Sequence, residues 1–122
     1  MSLAAKKNMV LVVEDDAFIA LDLEDVLSEA GFTVTGPVAT VREALALLDG
    51  EHRPDVALLD YNLGEETSIP VARRLEALGI PFLFLSGQVS SVVLGSTTSA
   101  PTVLSKPFVP NHLVNELGSL CQ

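Results

Sequence analysis

Short unbroken runs of apolar residues alternate along this chain with longer segments whose apolar residues recur every three or four positions. The short runs predict strands buried on both faces of a sheet. The longer segments have the spacing of amphipathic helices. The predicted strands cover residues 9–13, 32–34 with an extension to 36, 56–60, 80–85 and 102–105.

Five helical segments are predicted between and after these strands, and the fourth has the weakest pattern. Thr40 and Glu43 form a capping box that opens the second helix, and Pro70 suits the first turn of the third. The regular alternation of strand and helix predicts a parallel sheet with right-handed crossovers and helices on both faces. The helical patterns cover residues 19–30, 41–48, 68–78, 89–94 and 111–121.

Composition narrows the class of protein. A chain of 122 residues suits one domain over 1–122, with 8–121 ordered and 1–7 a tail, of which residues 1–3 are read as an expression remnant. The sequence offers neither a signal peptide nor an apolar run long enough for a membrane span. Seven basic residues are scattered among sixteen acids, for a net charge of −9, which argues against nucleic-acid binding. The single Cys121 fits a cytoplasmic location.

Chemically competent side chains follow four of the five predicted strands. Because the carboxyl ends of parallel strands meet at one edge of a sheet, we expect these side chains to converge there. Each has an ordinary structural interpretation, such as a helix cap, a turn hydroxyl or a surface lysine. Their coincidence at one edge favours a shared site. The residues are Glu14 and Asp15 after the first strand, Asp60 at the end of the third, Ser86 after the fourth and Lys106 after the fifth.

Three carboxylates at one point need compensating positive charge. Two carboxylates about 4 Å apart repel by about 4 kcal/mol at an effective dielectric constant of ~20. Lys106 offsets one charge, and a hard divalent cation such as Mg²⁺ suits the remaining oxygen ligands and binds phosphate oxygens as well. The carboxylate of Asp60 is also a competent nucleophile. The sequence therefore predicts a site that holds a phosphoryl group on Asp60.

These residues and their spacing resemble the response-regulator receiver domains of bacterial two-component signalling, over essentially the whole chain. The resemblance implies a flavodoxin-like α/β fold with strand order 2-1-3-4-5. It implies that Asp60 takes a phosphoryl group from a sensor histidine kinase or a phosphotransfer protein. It further implies that Mg²⁺ is held by Asp15, Asp60 and the backbone carbonyl of Asn62, with Glu14 acting directly or through water.

The resemblance also assigns roles around the phosphoryl group. Lys106 would pair with Asp60 and then with a phosphoryl oxygen, while Ser86 would move to donate a hydrogen bond to it. The bond between Lys106 and Pro107 is predicted to be cis. Gly87, next to Ser86, is one of the positions expected to modulate the site. Asn62 and Gln88 are amides that can hold a water but cannot act as a base, so modest self-dephosphorylation is predicted.

Two departures from the family pattern stand out. Val103 lies where many receivers have an aromatic switch residue, and Gly64 lies where many have proline. The fourth predicted helix is expected to be short or poorly ordered, because its segment is rich in serine, threonine and valine. The face formed by this helix, the fifth strand and the last helix is expected to bind a downstream protein or a second copy of the chain.

Two alternative functions remain open from the sequence. A haloacid-dehalogenase-like phosphatase also uses an aspartyl nucleophile and Mg²⁺, but its Asp-x-Asp motif follows the first strand. Here Asp60-Tyr61-Asn62 follows the third. The second alternative is a receiver-like module that binds partners without being phosphorylated. Both a stand-alone receiver and a domain of a longer protein are consistent with the sequence.

Overall fold

The computed structural model describes residues 8–51, 53–87 and 102–121. Within these residues, seven strands and four helices follow one another along the chain. The strands are β1 Met9–Val13, β2 Thr33–Val38, β3 Val56–Asp60, β4 Asn62–Leu63, β5 Glu66–Thr67, β6 Phe82–Ser86 and β7 Thr102–Ser105. The helices are α1 Ala17–Glu29, α2 Val41–Leu48, α3 Ile69–Leu78 and α4 Pro110–Leu120.

Five of the strands form one parallel sheet in the order β2-β1-β3-β6-β7. This is the predicted order 2-1-3-4-5 of the flavodoxin-like fold, because β6 and β7 are the fourth and fifth strands of the main sheet. The strands β4 and β5 form a separate antiparallel hairpin after β3. The predicted helix at 89–94 lies outside the described residues.

Apolar side chains pack on both faces of the sheet, as the continuous apolar runs predict. Successive strand residues point to opposite faces, so β3 contributes Leu58 to one core and Leu59 to the other. One core lies against α2 and α3, and the second lies against α1 and α4. Every residue of β3 and β6 is buried. This packing fixes the strand ends that carry the candidate site.

Strand β2 is longer than predicted, since it continues through Gly36 and Pro37 to Val38. The strand was expected to end at residue 34 or, with its extension, at Gly36, but β2 is an edge strand, where the missing backbone N–H of Pro37 is tolerated. The pairing with β1 shifts at this point, and Gly36 has φ of +95°. A side chain at Gly36 would meet Val38 N at 2.8 Å, so this irregular turn of the strand requires glycine.

Other boundaries differ by one or two residues. The fourth strand of the sheet begins at Phe82 rather than at residue 80 and extends to Ser86. The last helix begins at Pro110, where its missing N–H is not needed. No helix among the described residues is both long and apolar enough to span a membrane.

Candidate functional site

Three carboxylates meet at the carboxyl edge of the sheet. Glu14 directly follows β1 and Asp60 ends β3, and both are buried, whereas Asp15 is exposed. Carboxylate oxygens of these three residues lie within 4.8 Å of one another. The structure thus brings together the acids that the sequence placed at two separate strand ends. Glu14 and Asp60 form the buried side of the cluster, and Asp15 forms the side that is open to solvent.

Glu14 is positioned by its own backbone and by the start of α1. Its N–H donates to the carbonyl of Val38, 2.9 Å away, at the end of the irregular stretch of β2. Its Oε2 accepts a hydrogen bond from the N–H of Asp16 at 3.1 Å. Asp16 is itself the N-cap of α1, and its Oδ1 accepts from two N–H groups of the first turn. The predicted helix cap therefore falls on Asp16, which leaves Asp15 for the acidic cluster.

Lys106 reaches into the cluster from the end of β7. Its Nζ lies 3.0 Å from Glu14 Oε1 and 3.1 Å from Asp60 Oδ1. Its backbone N–H donates to the carbonyl of Ser86 at 2.9 Å, and the Lys106–Pro107 bond is cis, as predicted. Pairing with Asp60 was expected, and the equally short contact with Glu14 was not. Lys106 therefore bridges the two buried carboxylates.

One lysine does not fully compensate this cluster. Burial, followed by the hydrogen bond and charge of Glu14, raises the pKa of Asp60 from 3.8 to about 7 against the opposing effect of Lys106. Burial lowers the pKa of Lys106, but its hydrogen bonds and charge pairs with Glu14 and Asp60 outweigh that effect, and the pKa lies above 10.5. In addition, Glu14 Oε1 is shielded from solvent, and its contact among the described residues is Lys106 Nζ at 3.0 Å. The donor set therefore fits a further cation.

The remaining predicted residues lie around this cluster. Ser86 ends β6 and is buried, one position beyond the residue that pairs with Asp60. Gly87 and Asn62 are exposed. Val103 is half-buried on β7, pairs with Phe84 and packs against one of the two cores. Gln88 lies outside the described residues.

The sequence interpretation missed the hairpin that follows Asp60. Its two strands flank Gly64 and Glu65, and a glycine between two short segments is a usual signal for a tight turn. The same interpretation missed Ser68, which is fully buried and whose N–H donates to the carbonyl of Tyr61 at 2.9 Å. Only the three-dimensional structure shows that this serine closes the hairpin next to the site.

Comparisons with known proteins agree with this geometry. Residues 10–118 match the response regulator receiver domain family. The DNA-binding response regulator MtrA of Mycolicibacterium paratuberculosis is 38% identical over an alignment of 111 residues that covers 88% of this chain and 48% of MtrA. The chemotaxis protein CheY of Thermotoga maritima is 28% identical over an alignment of 115 residues that covers 91% of this chain and 95% of CheY. The solution structure of SdrG from Sphingomonas melonis Fr1 superposes with a TM-score of 0.81 at 38% sequence identity. The match covers 98% of this chain and 100% of SdrG.

The chain belongs to the response regulator receiver domain family. It is a receiver domain of two-component signalling, and it spans about half the length of MtrA. Members of this family partner histidine kinases and are not enzymes acting on a separate substrate. The cluster of Glu14, Asp15 and Asp60 is consistent with a phosphoacceptor site and typical of the Mg²⁺ site of receivers.

Proposed function

We propose that this receiver is a phosphorylation-dependent switch in which Asp60 accepts a phosphoryl group from a sensor histidine kinase or a phosphotransfer protein. One observation carries the proposal: a buried carboxylate at the end of a central strand lies 3.1 Å from a lysine and beside two further acids. This arrangement supplies a nucleophile and the positive charge that a phosphoryl group needs. We place the switch in the cytoplasm, consistent with the single cysteine.

Mg²⁺ fits the donor set, with Asp15, Asp60 and the carbonyl of Asn62 as direct ligands and Glu14 acting directly or through water. When bound, the ion offsets the carboxylate charge and orients phosphoryl oxygens. In the transfer, an oxygen of Asp60 forms a bond to phosphorus while the bond from phosphorus to the donor imidazole nitrogen breaks. Lys106 holds the developing negative charge on a phosphoryl oxygen.

Ser86 adds a neutral donor to the same site. Its hydroxyl can donate a hydrogen bond to a phosphoryl oxygen. The backbone carbonyl of Ser86 already accepts from the N–H of Lys106, so the two residues are linked across β6 and β7. A movement of Ser86 towards a phosphoryl group would therefore be transmitted to β7.

We further propose that the output surface combines β7, α4 and the segment that connects β6 to β7. Val103 on β7 lies where many receivers have an aromatic switch residue, so we expect packing of the connecting segment to take the place of rotation of a ring. We expect amide hydrogen exchange at residues 88–100 to slow on addition of beryllofluoride and Mg²⁺, which mimic the phosphorylated state. Exchange at α1 is the internal control. Unchanged exchange at 88–100 would exclude this segment from the response.

The lifetime of the phosphoryl group should depend on two amide side chains. We expect Asn62→Ala and Gln88→Ala each to change the rate of dephosphorylation by less than about tenfold, because an amide orients water whereas acid–base catalysis contributes ~10²–10⁴-fold. Loss of label over time, after removal of the donor, gives the rate. Asn115→Ala, an exposed position on α4, is the matched control. Rates equal to the control in both variants would show that neither amide governs access of water.

Incubation with acetyl phosphate and Mg²⁺, followed by intact-mass measurement, tests the proposed function. We expect one stable phosphoryl group on each chain, and none when a chelator replaces Mg²⁺. Continuous release of phosphate with many turnovers would instead indicate a phosphatase. A chain that never gains mass, with a receiver of known activity as positive control, would indicate a binding module that is not phosphorylated.

A further inference from the structure

A small hairpin begins immediately after the acceptor. Asp60 ends β3, and two residues later β4 pairs with β5 in antiparallel register, Asn62 opposite Thr67 and Leu63 opposite Glu66. The side chain of Leu63 is buried in the core that lies against α2 and α3. The hairpin is therefore anchored to the body of the domain.

The base of this hairpin is fixed at Tyr61. The N–H of Tyr61 donates to the carbonyl of Leu85 in β6 at 2.9 Å, and its carbonyl accepts from the N–H of Ser68 at 2.9 Å. The hydroxyl of Ser68 lies 3.5 Å from the same carbonyl oxygen, and Ser68 is fully buried. The ring of Tyr61 packs edge-on against Phe84. The residue after the acceptor is thus held by the main sheet on one side and by the hairpin on the other.

The pairing pattern determines which way the next carbonyl faces. In an antiparallel pair, opposed residues alternate between those that exchange hydrogen bonds and those that do not. The bond from Ser68 to Tyr61 makes that pair the hydrogen-bonded one, so the adjacent pair of Asn62 and Thr67 is not hydrogen-bonded. The backbone carbonyl of Asn62 therefore faces away from β5. Formation of the hairpin leaves this oxygen available to another ligand.

The tip of the hairpin depends on one glycine. Gly64 has φ of +64°, and Glu65 has no positive φ, which fits a two-residue turn with glycine first. A side chain at Gly64 would meet no atom within 4 Å, so only the backbone conformation requires glycine there. Beyond the tip, Glu66 Oε2 accepts a hydrogen bond from the N–H of Val41 at the start of α2, at 3.3 Å. The hairpin is therefore tied at both its base and its tip.

We propose that this hairpin, residues 62–67 with Ser68 at its base, holds the carbonyl of Asn62 in place for the cation, and that Gly64 and Ser68 are positioning residues. The proposal rests on the proposed function, because Mg²⁺ binding at this carbonyl belongs to that function. Groups that orient a metal ligand commonly affect affinity almost as strongly as the ligand itself. The hairpin would act before any phosphoryl group arrives, through the affinity for Mg²⁺ alone.

Two matched glycine substitutions separate this role from general stability. Gly79, which ends α3, has φ of +73° and equally open surroundings, so Gly64→Val and Gly79→Val each place a β-branched side chain at a positive φ, one in the hairpin and one away from it. We expect Gly64→Val to weaken Mg²⁺ binding by about tenfold in calorimetric titrations. Gly79→Val should leave the affinity within about twofold of the unsubstituted protein. Thermal melting in chelator should show similar losses of stability in both variants.

The outcomes distinguish this proposal from the proposed function. If the unsubstituted protein binds Mg²⁺ and is phosphorylated, but both valine variants bind Mg²⁺ equally well, the positioning role is wrong and the proposed function stands. If the unsubstituted protein does not bind Mg²⁺, the proposed function fails and the positioning role fails with it. Should either valine variant fail to fold, the milder pair Gly64→Ala and Gly79→Ala carries the same comparison, with the same direction expected.

Discussion

Replacing Asp60 with asparagine is expected to abolish phosphorylation by acetyl phosphate. The amide keeps the size of the carboxylate but cannot act as the nucleophile, so incorporation should fall by at least about two orders of magnitude. Asp60 is the buried acid at the end of the central strand β3, and its replacement leaves the pair between Lys106 and Glu14 in place. Intact-mass measurement after a fixed incubation with acetyl phosphate and Mg²⁺ gives the result.

A matched control makes this result specific. Asp25 is an exposed acid on α1, and Asp25→Asn makes the same change of charge without touching the cluster. We expect this variant to be phosphorylated like the unsubstituted protein. Labelling of Asp60→Asn at another residue, still dependent on Mg²⁺, would mean that Asp60 is not the acceptor.

The second large effect concerns stability in the absence of metal. The folded protein raises the pKa of Asp60 from 3.8 to about 7, chiefly by burial and then through Glu14. Between these two values the folded state binds more protons than the unfolded state, so the contribution of Asp60 to stability falls as the pH rises. A shift of this size corresponds to at most a few kcal/mol, lost between about pH 4 and pH 7. Asp60 therefore destabilises the metal-free protein at neutral and higher pH.

Asp60→Asn removes this penalty and gives the corresponding measurement. In chelator at pH 8, chemical unfolding should show the variant to be more stable than the unsubstituted protein by about 1–4 kcal/mol, with a smaller difference at pH 5. Mg²⁺ should stabilise the unsubstituted protein more than the variant, because it neutralises the carboxylate that the variant lacks. A variant that is no more stable at pH 8 in chelator would contradict the destabilisation that we attribute to the ionised Asp60.

The pKa of Lys106 is raised as well, but there the shift favours the charged form of the side chain, and it acts elsewhere on the pH scale. Its pKa in the folded protein lies above 10.5, so the stability it contributes is complete below that value and is lost as the pH rises further through the folded pKa. The comparison between pH 5 and pH 8 is therefore governed by Asp60. This separation allows the buried Asp60 and the half-buried Lys106 of one ion pair to be examined independently.

The parts of the fold that depend on strong apolar patterns followed directly from the sequence. Strand β3 has the predicted bounds because its run of apolar residues is continuous. The convergence of Glu14 and Asp60 followed from parallel topology, since the ends of parallel strands share one edge. The contact of Lys106 with Glu14 could not be predicted from the sequence. Which side chains touch at the sheet edge depends on the direction in which each strand end points its residues, and no sequence pattern specifies that direction.

The pattern of apolar residues does not identify short or irregular elements. Strand β2 passes through Gly36 and Pro37 because an edge position tolerates them, and no sequence period marks an edge strand. The hairpin at 62–67 is too short for alternation to identify, and its closure depends on the buried N–H of Ser68. Almost any residue can make a backbone hydrogen bond, so the bond from Ser68 N–H to the carbonyl of Tyr61 could not be recognised from the sequence.

Mapping the site of modification tests the central claim most directly. After phosphorylation with acetyl phosphate and Mg²⁺, borohydride reduces an aspartyl phosphate to homoserine, and peptide mass spectrometry identifies the residue that has changed. We predict homoserine at position 60 and at no other aspartate, with none formed when chelator replaces Mg²⁺. Homoserine at another aspartate, or a phosphorylated chain whose Asp60 is unchanged, would contradict the account.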